Sequence, residues 1–365
     1  LELIRRWLGR TFNDPQITAF LLLLVAGLGA VLLFGSILAP LIAALVIAYL
    51  LEGVVRVFER YGVHRIPAVV VVILFLVTFL ILVVFALIPL LYGQVAQLVD
   101  QLPAILEQGQ HLLLQLPEHY PQLFSESGIR QMLDTARQDI TNYGQSVVAT
   151  VTVGSLLILG TLTVHAVLVP FLVFFLLKDK RRLVQWASDH LPRHRAFANE
   201  VWLDVDEQIG NYVRGKFIEI FIVWGVTYLT FSLLGVPFAL LLAVATGLSV
   251  IIPYIGAFTM TLPVALIAYF HFGVSQELVY VLIAYAVIQI LDGNVLVPLL
   301  FSEVVNLHPV AIIVSIVVFS GLWGFWGVFF AIPLATFIQA IIKAWVRRRK
   351  PQEDGSLEME EELLP

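Results

Sequence analysis

Tyr285, Gln289 and Asp292 fall at i, i+4 and i+7 in a stretch, Leu278 to Leu300, whose only charge is Asp292. On a helix the three share one face. A carboxylate near the centre of a membrane helix costs roughly 2.5–3.5 kcal/mol on insertion scales, and such groups usually face a bundle interior or a water-filled cavity. Two readings are open. Asp292, with Gln289 and Asn294 beside it, could bind a proton or a cation. Alternatively the three form a buried polar network that caps a helix break at Gly293.

Other residues invite similar chemistry. Glu219 lies three positions after Lys216, a spacing that suits an ion pair at the membrane surface or a gating residue. Glu207, Asn211 and Arg214 share a helical face that leads into the same apolar segment, either as a vestibule wall or as a solvated amphipathic helix. His165 is the lone titratable group of its segment, flanked by Thr161 and Thr163. It reads as a hydrogen-bonded bundle residue or as a proton relay. Pro253, Tyr254 and Gly256 belong to IIPYIG, a break inside a long apolar run.

Absences narrow the field. The chain has no cysteine, which removes disulfides and thiol chemistry. No GxxxxGK[ST] loop, HExxH or GxSxG is present, so nothing supports ATP hydrolysis by a phosphate loop, zinc proteolysis or a nucleophile elbow. The expectation is a non-enzyme without cofactor or metal, and nothing points to nucleic acid.

The elements that must position these residues are membrane helices. Hydrophobic residues make up 60% of the 365-residue chain and charged ones 13%, with mean hydropathy +0.94, far from soluble composition. The composition predicts an all-α membrane protein. Apolar runs of spanning length lie at 17–34, 67–91, 147–177, 217–234, 237–272, 278–300 and 310–345, with a shorter one at 37–51. The basic residues Arg5, Arg6 and Arg10 precede the first run, which reads as a retained anchor rather than a cleaved signal.

Lys and Arg distribution sets orientation. Arg56, Arg60 and Arg65, the KDKRR run at 178–182 and Arg347 to Lys350 mark cytoplasmic sites. The organisation expected is therefore a cytoplasmic N-terminus (1–16), three transmembrane segments (17–91) whose first two turn near Gly35 and Ser36, and an extracytoplasmic amphipathic helical region (92–146). A fourth segment (147–177) and a cytoplasmic helical connector (178–216) follow. Segments five to eight (217–345) carry breaks near 253–256 and 320–327, with the 301–308 loop outside, and a basic then acidic disordered tail (346–365) ends the chain. Broken segments are either kinked spans or re-entrant hairpins, and discontinuous helices often form transporter sites. Trp7, Trp186 and Trp345 sit near predicted boundaries, as interfacial anchors do.

Several stretches together resemble the autoinducer-2 exporter family: PFLVFFLLKDK (170–180), QIGNYVRGK (208–216), LGVPFALLLAVATGLSVIIPYIGAF (234–258), LVPLLFSEVVNLHPV (296–310) and GFWGVFFAIPLAT (324–336). The resemblance covers about residues 15 to 345. It implies an inner-membrane protein of about eight spans, a homo-oligomer, pentameric by resemblance, and export of small molecules or ions; the Lys and Arg pattern itself puts both termini in the cytoplasm. Members have been linked to a signalling furanone or proposed as cation/proton antiporters. The family's IPYIG corresponds to Ile252–Gly256 and its LHP to Leu307–Pro309; Lys216 stands where the family usually has Gln. The function expected is a secondary permease for a small polar solute or cation in contact with the lipid bilayer. The alternative is a non-transporting membrane scaffold that binds a partner.

Overall fold

The computed structural model describes residues 15–114, 135, 138, 165–190, 196–253, 255–301 and 307–361, and these are helical throughout, joined by short turns. The order is α1 (Pro15–Arg60), α2 (Arg65–Leu82), a π-helical turn at Val83–Leu87, α3 (Ile88–Leu114), α4 (His165–Lys178) and α5 (Lys180–His190). It continues with α6 (Ala196–Leu233), α7 (Ala239–Ser249), α8 (Ile255–Phe272), α9 (Gln276–Leu291), a second π-helical turn at Asp292–Leu296, α10 (Val297–Phe301) and α11 (Pro309–Glu361). Six stretches among the described residues are long and apolar enough to cross a membrane: Ile37–Arg60, Arg65–Ile105, Asp206–Leu233, Ile255–Phe272, Gln276–Phe301 and Pro309–Ile341. Two shorter apolar helices, α4 and α7, accompany them.

Two compact units divide the chain: residues 1–72, 172–219 and 294–365 form one, and residues 73–171 and 220–293 the other. In the second unit α6 ends at Leu233, and Gly235 (φ +67) and Phe238 (φ 57) turn the chain into α7. With 11 residues, α7 is about 16 Å long, roughly half a hydrocarbon core. The chain then turns through Val250–Pro253, and α8 runs back along α7. This return is a hairpin rather than a kink, because a Cβ on Gly256 would stand 1.8 Å from the Ser249 carbonyl oxygen. Only glycine permits so close a backbone approach. Gly273 (φ +64) then leads to α9, whose first turn is capped by the Ser275 hydroxyl accepting from Leu278 N–H at 3.4 Å. Phe231, Val236, Leu242, Val264, Ala268, Val281 and Tyr285 form the buried core where α6, α7, α8 and α9 meet.

The first unit contains a comparable return. Within α11, Gly324 leaves helical geometry (φ 57, ψ −134), and a Cβ on Gly327 would lie 1.8 Å from the Phe319 carbonyl oxygen. Residues eight apart in a straight helix would be separated by about 12 Å. The helix therefore folds back on itself, with Trp323 stacked on Phe330 at 6.1 Å.

Four expectations differ from the structure. Instead of a turn at Gly35–Ser36, α1 carries a single non-helical residue, Phe34 (φ −116, ψ 17), within an otherwise helical run. The helix continues into the tail as far as Glu361, where disorder was expected; Glu, Met, Leu, Lys and Arg are all good helix formers, which composition read for charge alone overlooks. Asp292–Leu296 does not break its helix but widens it into a π-turn, so the span Gln276–Phe301 is continuous. Finally, Phe301 packs against α6: a Cβ on Gly215 would meet its ring at 2.8 Å. The 301–308 loop, expected on the outer side, thus begins beside Gly215 at the end of the 178–216 connector.

Candidate functional site: a buried polar layer

The core of the second unit provides a ruler. Phe231 on α6, Leu242 on α7 and Tyr285 on α9 belong to one buried cluster, with the Phe231 and Tyr285 rings 6.3 Å apart. All three helices have their outer ends at the turns 234–238 and 273–275. One helical turn from the cluster, away from those ends, lie Thr227, Thr246 and Gln289. Thr227 and Thr246 are completely buried. Their hydroxyls, and both the Oε1 and Nε2 atoms of Gln289, are buried without a hydrogen-bond partner among the described residues. A turn further along are Trp224 and Asp292. The Trp224 indole N–H is likewise buried without a partner among the described residues, and Asp292 keeps its Oδ1 out of solvent. Trp224 is fixed by the close approach of α7, since a Cβ on Gly247 would lie 2.8 Å from its Cβ.

Native proteins pair nearly all buried polar groups, and a lone unsatisfied one destabilises by about 1–3 kcal/mol. A whole layer of them, sealed at one end by Phe231, Leu242 and Tyr285, is the signature of a site that a polar guest or water completes. Its chemistry is two hydroxyls, an amide, an indole N–H and a carboxylate. Residues 220–293 contain no Lys or Arg. The layer suits a neutral or cationic guest.

The residues singled out from sequence fall as follows. Tyr285 closes the layer, and its hydroxyl donates to the Ala257 carbonyl at 3.1 Å in the first turn of α8. Gln289 is within the layer and Asp292 opens the π-turn below it; Asn294, two residues on, is exposed. Pro253 is half-buried at the hairpin turn and Gly256 is buried beside it; Tyr254 lies outside the described residues. His165 is half-buried at the start of α4, while Thr161 and Thr163 lie outside the described residues.

The others belong to the first unit. Lys216 and Glu219 do pair, at 2.6 Å, and with 3% and 2% of their side chains exposed the pair is buried within the protein. Lys216 Nζ stands 5.1 Å from the centre of the Phe301 ring, and the Tyr212 hydroxyl donates to the Phe329 carbonyl at 3.3 Å. Asn211 accepts from Arg214 at 2.8 Å, whereas Glu207 is exposed.

The sequence profile of the AI-2E transport family, described as AI-2E family transporter, matches residues 21–347. The chain belongs to the AI-2E transporter family. It is 45% identical to "Putative permease PerM" of Escherichia coli (strain K12), over 97% of the chain and 100% of that protein. It is 24% identical to "Putative transport protein YueF" of Bacillus subtilis (strain 168), over 90% of the chain and 89% of that protein. "Putative transport protein YhhT" of Escherichia coli (strain K12) is 24% identical over 91% and 89%. This is a multi-pass membrane protein of a bacterial permease family, not an enzyme.

Sequence reasoning missed two groups of this AI-2E transporter. Trp224, Thr227 and Thr246 gave no signal, since a lone Thr in an apolar helix is ordinary until the register of three helices is known. Glu52 was the second omission, although an acid ending an apolar run is visible in the sequence. It is buried and meets Arg65 at 3.0 Å, Lys180 at 3.3 Å and Arg56 at 3.5 Å. Arg65 also donates from Nε and Nη2 to the Leu177 carbonyl, at 3.0 and 2.6 Å. Its guanidinium therefore ties the end of α4 to the start of α2.

Proposed function

We propose that this AI-2E transporter is a secondary permease of the bacterial inner membrane that moves a small polar solute or a cation, binding it in the layer formed by Thr227, Thr246, Gln289, Trp224 and Asp292. The observation that carries the reading is Gln289, whose amide is buried with neither end hydrogen-bonded among the described residues. Such a group is stable only when something polar visits it. The half-length helix α7 and its return supply the discontinuous backbone that transporters use at their binding sites. Both termini are read as cytoplasmic from the Arg and Lys runs, and the functional particle as a homo-oligomer, pentameric as the family resemblance implies.

The test is flux. Purified protein is reconstituted into sealed vesicles, and uptake is screened with alkali cations, small polyols and a metabolite extract, with internal pH followed in parallel. Transport by the wild type is expected, falling roughly tenfold in Gln289→Leu through loss of hydrogen bonds to the solute. Flux of nothing, in protein that remains folded and oligomeric, would instead support a scaffold.

A further inference from the structure

We propose that α5 and the cations beside it form a docking surface for anionic phospholipid headgroups, a role separate from transport. Helix α5 follows α4 almost without interruption: Asp179 N–H donates to the Phe175 carbonyl at 2.9 Å, and Leu183 N–H to the Asp179 carbonyl at 2.9 Å. It therefore begins where the apolar span stops, at a carbonyl that Arg65 holds. Along α5, Leu183, Val184 and Trp186 lie on one face, and they are 43%, 48% and 63% exposed. Arg182 borders that face on one edge and Arg181 on the other, while Gln185 points the opposite way and Asp189 follows Arg182 two turns along the same edge. Both arginines are exposed, and neither is in an ion pair among the described residues.

An apolar face flanked on both edges by long cationic side chains fits a bilayer surface better than a protein groove. The stems lie along the apolar region while the guanidinium groups reach the phosphates. Local charge agrees. Around α5 stand Arg56, Arg65, Lys178 and Lys180, against Glu52, Glu59 and Asp179, with Asp189 on α5 itself. Glu52 is already engaged by three of the basic groups and Glu59 by Arg65. Lys178 sits over the Phe174 and Phe175 rings, 5.9 and 5.4 Å from their centres, with its stem on the apolar span. The excess is positive, and its complement is an anionic lipid surface.

The cysteine-free chain makes the test direct. The full-length Val184→Cys protein carries an environment-sensitive probe and is placed in nanodiscs of phosphatidylcholine alone or with phosphatidylglycerol, each with a lipid-borne quencher. Quenching is expected to be strong only with phosphatidylglycerol. The docked-to-undocked ratio should fall about fivefold with either R181Q or R182Q, with circular dichroism and assembly size unchanged. Three outcomes would overturn the proposal. Equal quenching in both lipids would mean apolar contact without headgroup recognition. A probe shielded from lipid, with position 184 cross-linking to a second copy, would mean a subunit interface. Relief of quenching by inorganic phosphate at constant ionic strength would mean a site for free anions.

Discussion

Asp292 and the pair Lys216–Glu219 are both charges inside apolar helices, yet their surroundings assign them different work. Lys216 and Glu219 satisfy one another at 2.6 Å in a dry environment made by Tyr212 and Phe301. Removing one member leaves an uncompensated buried charge, so Lys216→Met should destabilise by about 3–5 kcal/mol. Replacing both by apolar residues of similar volume should be nearly neutral. Thermal unfolding of the two variants in detergent checks this, and equal losses would show that the partners act independently. Asp292 stands in a stretch, residues 220–293, without Lys or Arg, and beside a layer of buried polar groups. Asp292→Asn keeps size and most hydrogen bonding while removing the titratable charge. Assembly should survive while the pH dependence of transport is lost; an unchanged pH profile would leave the carboxylate with an architectural role.

Helical hairpins were only half legible. IIPYIG and SGLWGFWG announce trouble for a straight helix, since Pro and Gly interrupt apolar runs too long for one span. Whether the helix kinks or returns depends on which backbone atoms meet, and periodicity within one segment does not encode that. Gly256 against Ser249 and Gly327 against Phe319 decide it. The candidate site was legible to the same degree. The shared face of Tyr285, Gln289 and Asp292 follows from spacing on one helix, whereas Thr227 and Thr246 join them only through a register between segments far apart in sequence. The glycines yield a sharp expectation. Gly256→Ala or Gly327→Ala puts a methyl 1.8 Å from a carbonyl oxygen and should abolish the folded particle on size-exclusion chromatography. Gly321→Ala, where nothing stands within 4 Å of the new methyl, should elute as wild type.

At the scale of the whole chain, these returns make a prediction about how many times it crosses the membrane. The hairpin α7–α8 leaves from the turn where α6 ends and comes back to the turn where α9 begins, so it is expected to add no crossing. The span Gln276–Phe301 then carries the chain across, and Phe301 arrives beside Gly215 at the start of the apolar part of α6. The two arms of α11, about 15 residues before Gly324 and somewhat more after it to Ile341, are each short for a full span and long enough for a second re-entrant hairpin. Residues 308 and 188 are then expected on one face of the membrane, with residue 274 on the other. Cysteines placed singly at Val274, which is 90% exposed, at His308 and at Ser188 report this directly with an impermeant thiol reagent. In intact cells opened only at the outer membrane, the Val274 variant should label and the other two should not; inside-out vesicles should reverse the pattern. Labelling of His308 together with Val274 would restore four successive crossings in the last third of the chain, and with them the kinked rather than re-entrant reading of both glycine breaks.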